Sequence, residues 1–385
     1  MDSIPLNRPD LPENSNTRIA MAMRALSECD RQPVEEFERA CAEATDRSIG
    51  IAAATPSIAL EASLLALRLE SGDEVICPAL APTRLVSAIC RVGATPSFVD
   101  VDARHGTLLS DAVEPAINER TRAIALTAPC GNPTGFAELA SVSRKYELPI
   151  IEDAVESLGA RVGADRAARF GVMAVIGFGV ESPVFAAGGA AIVTHDDALA
   201  GACREILDEG RIRTHTANDP AISRGWTFSQ PGVDGALDPL RAAVATEALG
   251  RIDAILDKRA EVANTYVQRL GGHPDLFVPT PPDDARPTWP AFPIRLDERF
   301  TDDDRDGVVH GILRHEVGAS GGWPFAPALP VAWKPGQDPD QWPIAHRLAS
   351  RTIRLPCHSL LTTQEVDIVC QTLELMMSQN VFNRE

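Results

Sequence analysis

The side chains in this chain best suited to chemistry are carboxylates at the ends of apolar runs. Glu181 and Ser182 stand in the loop ESPVFAAGG, between the apolar runs VMAVIGFGV and GAAIVT. Asp153 closes PIIED, Cys130 and Asn132 lie in APCGNPTG, and His358 lies in LPCHSL. Carboxylates gathered in one cleft repel each other, which shifts their proton affinities toward general acid–base use. Each residue also has a plainer reading. Glu181 is equally a solvated loop residue, Asp153 a cap for the helix after it, and Cys130 a buried small residue. Asn132 is equally a turn former before Pro133, and His358 a satisfied surface or interface histidine. The eight cysteines form no CxxC pair and no other metal-ligand spacing, which predicts reduced thiols and no metal.

The elements that position these groups alternate. Residues 17–26 and 34–45 have helical spacing, and 48–54 read as a strand. A helix then opens at Thr55-Pro56-Ser57, with proline in the first turn where its missing N–H is tolerated, and runs to about residue 69. Strand candidates 73–77, 96–101, 123–128 and 149–153 alternate with helices 84–92, 110–117 and 137–146, the pattern of a parallel sheet covered on both faces. Ligands of such sheets bind beyond the carboxyl ends of the strands. Residues 55–57, 79–83, 128–132 and Asp153 are therefore expected around one cleft. Runs 172–180 and 189–194 look like a hairpin, and 196–207 is a helix. The polar stretch 207–235 is of the kind that covers a site or crosses to a partner chain, and a single helix over 239–270 leads into the last third. The length predicts two domains: 1–245, a large α/β domain with N-terminal helices, and 246–385, a linker helix and a smaller C-terminal domain.

Composition narrows the function. A formal net charge of −18 argues against nucleic acid or an anionic membrane as partner. The start MDSIPLNRPD has no signal-peptide pattern, and the longest apolar run, 171–180, is too short to span a membrane. The expectation is a soluble, cytoplasmic protein.

SIPLNRPDL, EEFERACAE, SGDEVICPALAPT with VGATPSFVDVD, IEDAVESLGA, GGAAIVTHDDALA, LRAAVATEALGRID and WPIAHRLASRTIRLPCHSLLTTQEVDIV follow one another along the chain. In order and spacing they resemble the DegT/DnrJ/StrS-type sugar aminotransferases, pyridoxal-phosphate (PLP) enzymes of the aspartate-aminotransferase fold, PLP fold type I. The resemblance implies an α/β large domain with a mixed, mostly parallel seven-stranded sheet and a smaller C-terminal α/β domain. It also implies a homodimer with the cleft at its interface.

The resemblance assigns roles, and the chain departs from several. Asp153 falls where a carboxylate keeps the pyridine nitrogen protonated. Ser57 falls at the phosphate site, but the adjacent Pro56 has no N–H to donate, and Gly177 stands where a serine is usual. Asp234 and Ala236 replace an asparagine and an arginine contributed across the dimer. A carboxylate about 4 Å from a phosphate costs about 1–4 kcal/mol. Pro82 replaces the aromatic residue that stacks on the ring. The Schiff-base lysine falls on Glu181 or Ser182, depending on a one-residue gap, and the lysines present, Lys145, Lys258 and Lys334, lie elsewhere.

A carboxylate cannot form an imine, so a conventional transaminase is not expected. The reading is an enzyme of small-molecule biosynthesis, on a sugar-derived or secondary-metabolite substrate, that works without PLP. Glu181, Asp153 and Ser182 are its candidate catalytic residues and Cys130, Asn132 and His358 its candidate substrate neighbours. Ser57, Asp153, Pro82 and Asp234 mark a vestigial cofactor pocket. Two alternatives stay open: a non-catalytic subunit pairing with an active paralogue, and an enzyme holding PLP or pyridoxamine phosphate (PMP) without a covalent bond.

Overall fold

The computed structural model describes residues 3–11, 15–27, 31–213, 226–228, 230–281, 284–330, 332 and 338–382; Lys334 falls outside them. Strands β1 (Ile49–Ala53), β2 (Glu74–Pro78), β3 (Thr95–Val99), β4 (Thr121–Thr127), β5 (Ile150–Asp153), β6 (Met173–Gly177) and β7 (Ala190–Thr194) form one sheet in the order β1-β7-β6-β5-β4-β2-β3. Neighbours from β3 to β6 run parallel, while β7 runs antiparallel to both β6 and β1. The expected hairpin is present, with Met173 opposite Thr194 and Gly177 opposite Ala190.

Side chains along a strand alternate between faces, and both faces of this sheet are covered. Met173, Val175 and Ile192 pack with Leu60, Leu64, Leu85 and Ile89 of helices Pro56–Ala66 and Thr83–Arg91. Ala174, Ile176 and Val193 pack on the other side with Phe37, Ala242 and Ala245. There Phe37 meets Phe178 edge-on at 5.1 Å. Burial on both faces explains why these strands read as continuous apolar runs.

A second sheet, antiparallel, comes from the last third of the chain. It contains β8 (Leu276–Phe277), β9 (Phe292–Leu296), β10 (Ser320–Gly321) and β11 (Thr352–Leu355) in the order β8-β9-β11-β10. Its core includes Phe292 stacked on Tyr266 at 4.8 Å.

Local structure corrects two expectations and adds a ribbon to a third stretch. The helix expected over 239–270 is two helices, Pro239–Leu249 and Ile252–Leu270, because Gly250, a weak helix former, ends the first. Residue 245 thus lies inside a helix. The helix expected over 110–117 is a short α-helical turn, Ser110–Val113, followed by a 3-10 turn, Glu114–Ala116, where Pro115 has no N–H to continue the ladder. Within 207–235, Arg211–Arg213 pairs with Trp226–Phe228 as a two-stranded ribbon.

Candidate active site

Strands β1, β2, β4, β5 and β6 all end at one edge of the large sheet, and their following loops build a cleft there. After β1, Thr55 caps the next helix, accepting the Ile58 N–H at 3.3 Å, and Pro56 takes its first position. At the end of β6, a Cβ on Gly177 would lie 2.9 Å from Pro56 Cγ and 3.1 Å from both Val155 methyls. Glycine at 177 leaves Pro56 the space it occupies.

Asp153, at the end of β5, has a fully buried side chain. Arg84, in the first turn of the helix after β2, is 11% exposed and forks onto it. Arg84 Nε donates to Asp153 Oδ2 at 2.7 Å and Nη2 donates to Oδ1 at 3.1 Å, while Nη1 pairs with Glu181. Burial opposes the charge of Arg84, but the carboxylates of Asp153, Glu181 and Glu156 outweigh it and raise its pKa above the ordinary value. Burial pushes the Asp153 carboxyl up, and Arg84 counters that push.

Glu156, three residues beyond Asp153 in the turn that follows β5, where a capped helix is the plainer expectation, is also buried. Its oxygens accept from Trp323 Nε1 at 3.0 and 3.1 Å and from the Cys130 N–H at 3.1 Å. Burial raises its pKa, against the pull of Arg84 and Arg354.

Ser57, Thr83, Arg84, Glu181, Trp323 and Arg354 line an open cleft of about 330 Å³. The slot bounded by Pro82, Arg84, Asp153, Glu156 and Trp323 has about 10 Å³ left, room for about one water. The Glu181 loop is held from the small-sheet side by buried Arg259. This side chain donates to the carbonyls of Pro183 at 3.2 Å, Trp289 at 2.8 Å and Cys357 at 2.7 Å, and burial lowers its pKa to about 10.

Of the residues named from sequence, Asp153, Glu181, Ser57 and Pro82 meet around Arg84. The others do not. Ser182 is buried within its own loop, its Oγ accepting the Val184 N–H at 3.1 Å. Cys130 and Asn132 line a separate cavity of about 60 Å³ beside Trp289. The Cys130 thiol is pushed well up by burial, so it stays protonated, and Asn132 Oδ1 accepts from the Thr134 N–H at 3.2 Å and hydroxyl at 2.6 Å in a turn. His358 is buried and lines neither space; Asp234 is exposed and bridges to Asp208 through its backbone. Lys145 and Lys258 are exposed and paired with Glu114 at 2.6 Å and Glu261 at 2.8 Å.

Sequence reasoning passed over Arg84, Glu156, Trp323 and Arg354. Arg84 and Glu156 could have been found, since each lies within three residues of a singled-out position. Trp323 and Arg354 carried no local signal because the small sheet delivers them. Among the described residues no group of three or more His, Cys, Asp or Glu is placed to hold a metal ion, and no helix is long and apolar enough to cross a membrane.

A model of the DegT/DnrJ/EryC1/StrS aminotransferase family matches residues 13–374. The chain belongs to this family. A UDP-2-acetamido-2-deoxy-3-oxo-D-glucuronate aminotransferase of Pseudomonas aeruginosa is 27% identical, covering 88% of this chain and 89% of that protein. Spr1654 from Streptococcus pneumoniae in its PMP form superposes with a TM-score of 0.89 at 20% identity, covering 98% of this chain and 100% of that one. Its PLP form gives a TM-score of 0.87, also at 20% identity. Helicobacter pylori PseC, an aminotransferase involved in pseudoaminic acid biosynthesis, gives 0.87 at 18% identity, covering 98% of this chain and 100% of that one. These likenesses establish the family's PLP fold type I architecture for this chain.

Proposed function

We propose that this family member works without PLP or PMP, using the Glu181 carboxylate as general acid or base on a sugar-derived small molecule in biosynthesis. The carrying observation is the Arg84 fork on Asp153. A pyridine ring would need Asp153 as the partner of its nitrogen, and a guanidinium already holds both oxygens. The remaining slot has room for about one water, not a ring. At the phosphate end Pro56 offers no N–H, Gly177 offers no hydroxyl, and a side chain at 177 would collide with Pro56. Glu181 and Ser182 supply no amine for an aldimine. These residues do not fit the cofactor.

The chain's own groups suit acid–base work. Arg84 holds Glu181 Oε2, and Glu181 Oε1, with no hydrogen bond among the described residues, is available to a ligand proton at the cleft. Asp153 in turn fixes Arg84. The proposal includes a homodimer in the cytoplasm with the cleft at its interface, and light scattering tests the pairing.

Titrating the purified protein with PLP and PMP, read by absorbance and thermal stability, tests the central claim. Neither is expected to bind; tight binding of either overturns it. Turnover is then compared between the protein and Glu181→Gln on nucleotide-linked keto-uronates, the class named for the Pseudomonas relative. Equal turnover removes Glu181 from the chemistry, and no turnover by either favours the non-catalytic subunit.

A further inference from the structure

We infer that the cleft seats a ligand carboxylate on Arg354, which names the substrate class as a hydroxylated acid such as a sugar acid. This rests on the acid–base reading above for its site. Arg354 leaves β11 with its Nε donating to Ser320 Oγ at 3.1 Å and to the Gly321 carbonyl at 3.0 Å. Those bonds fix the guanidinium plane, yet neither Nη group makes a hydrogen bond among the described residues, and the side chain lines the open cleft. Its carbon lies 5.7 Å from the centroid of Trp323, a ring itself held by Glu156.

A planar, tethered fork with free outer N–H groups matches the two oxygens of a carboxylate. Arg84, the other guanidinium of the cleft, cannot serve, because Asp153 and Glu181 already occupy it. Glu156 lies within the field of Arg354, but its oxygens accept from Trp323 and Cys130 and do not close the fork. At the fork itself the neighbouring Glu156 and Glu181 carboxylates favour a singly charged carboxylate over a more highly charged phosphate, so the phosphates of a nucleotide-linked substrate would lie outside it. The exposed Ser57 and Thr83 hydroxyls on the cleft wall suit a polyhydroxylated body.

Calorimetry with D-glucuronate, its neutral amide and inorganic phosphate tests the assignment. The protein should bind glucuronate about tenfold or more tighter than the amide, and tighter than phosphate. Arg354→Met should erase the preference and Arg354→Lys should keep part of it. The assignment is overturned if the unaltered protein shows no preference, binds neither sugar, or prefers phosphate. It is equally overturned if a folded Arg354→Met keeps the preference, or, should that variant not fold, if Arg354→Lys keeps all of it. A PLP titration of the same sample separates the two claims. Tight PLP binding with the preference intact overturns the cofactor-free reading and leaves the carboxylate seat, whereas loss of preference without PLP binding does the reverse.

Discussion

Arg84 closes on both oxygens of Asp153, at 2.7 and 3.1 Å, at the carboxyl end of the central strand β5. Removing one partner leaves a charge buried and unpaired, so Arg84→Met should lose about 3–5 kcal/mol in urea unfolding. Neutralising the pair together, as Arg84→Met with Asp153→Leu, should recover most of that loss. A single variant as stable as the parent would show that the fork does not hold the site together.

Glu181 has a different energetic profile. Its side chain is 47% exposed, and exposed ion pairs contribute about 0–1 kcal/mol. Glu181→Gln should therefore melt close to the parent while turnover falls about 100-fold or more, the usual share of a general acid or base. A large drop in stability with unchanged turnover would assign the residue to structure instead.

Gly177 and Pro56 should be coupled. Gly177→Ser places a Cβ 2.9 Å from Pro56 Cγ, and overpacking of this kind costs about 1–3 kcal/mol. Pro56→Gly should relieve part of it, so the double variant should be less destabilised than the sum of the singles by about 0.5 kcal/mol or more. Strict additivity in a denaturation cycle would contradict the contact.

His358 predicts an acid-side loss of stability. Burial, reinforced by Arg259 and Arg8 against Glu365 and a backbone hydrogen bond with Pro5, lowers its pKa from the ordinary 6.5 to about 4. Between these values the unfolded chain takes up a proton that the folded chain refuses, so stability falls as pH drops from about 6.5 toward 4, by about 1–3 kcal/mol. The melting temperature of His358→Asn should therefore gain on that of the parent as pH falls through this window. A difference independent of pH would exclude the histidine as its source.

The alternation of apolar strands and helices, with the ordered motifs around IEDAVESLGA and SGDEVICPALAPT, determined the family and the large sheet, because burial on both faces writes itself into local sequence. The identities of residues 56, 57, 82, 153 and 177 were legible for the same reason, since each ends a strand or stands at the start of a helix at one edge, and Glu181 lies in the turn just beyond β6. What those residues do was not legible. Only the folded chain decided that Arg84 turns into the slot and takes Asp153, that Ser182 points into its own loop, and that Cys130 and Asn132 face another cavity. Only the fold, too, carries Trp323 and Arg354 from the small sheet to a cleft built by the large one. A side chain's partners depend on which segments come together in space, and spacing along the chain does not record that.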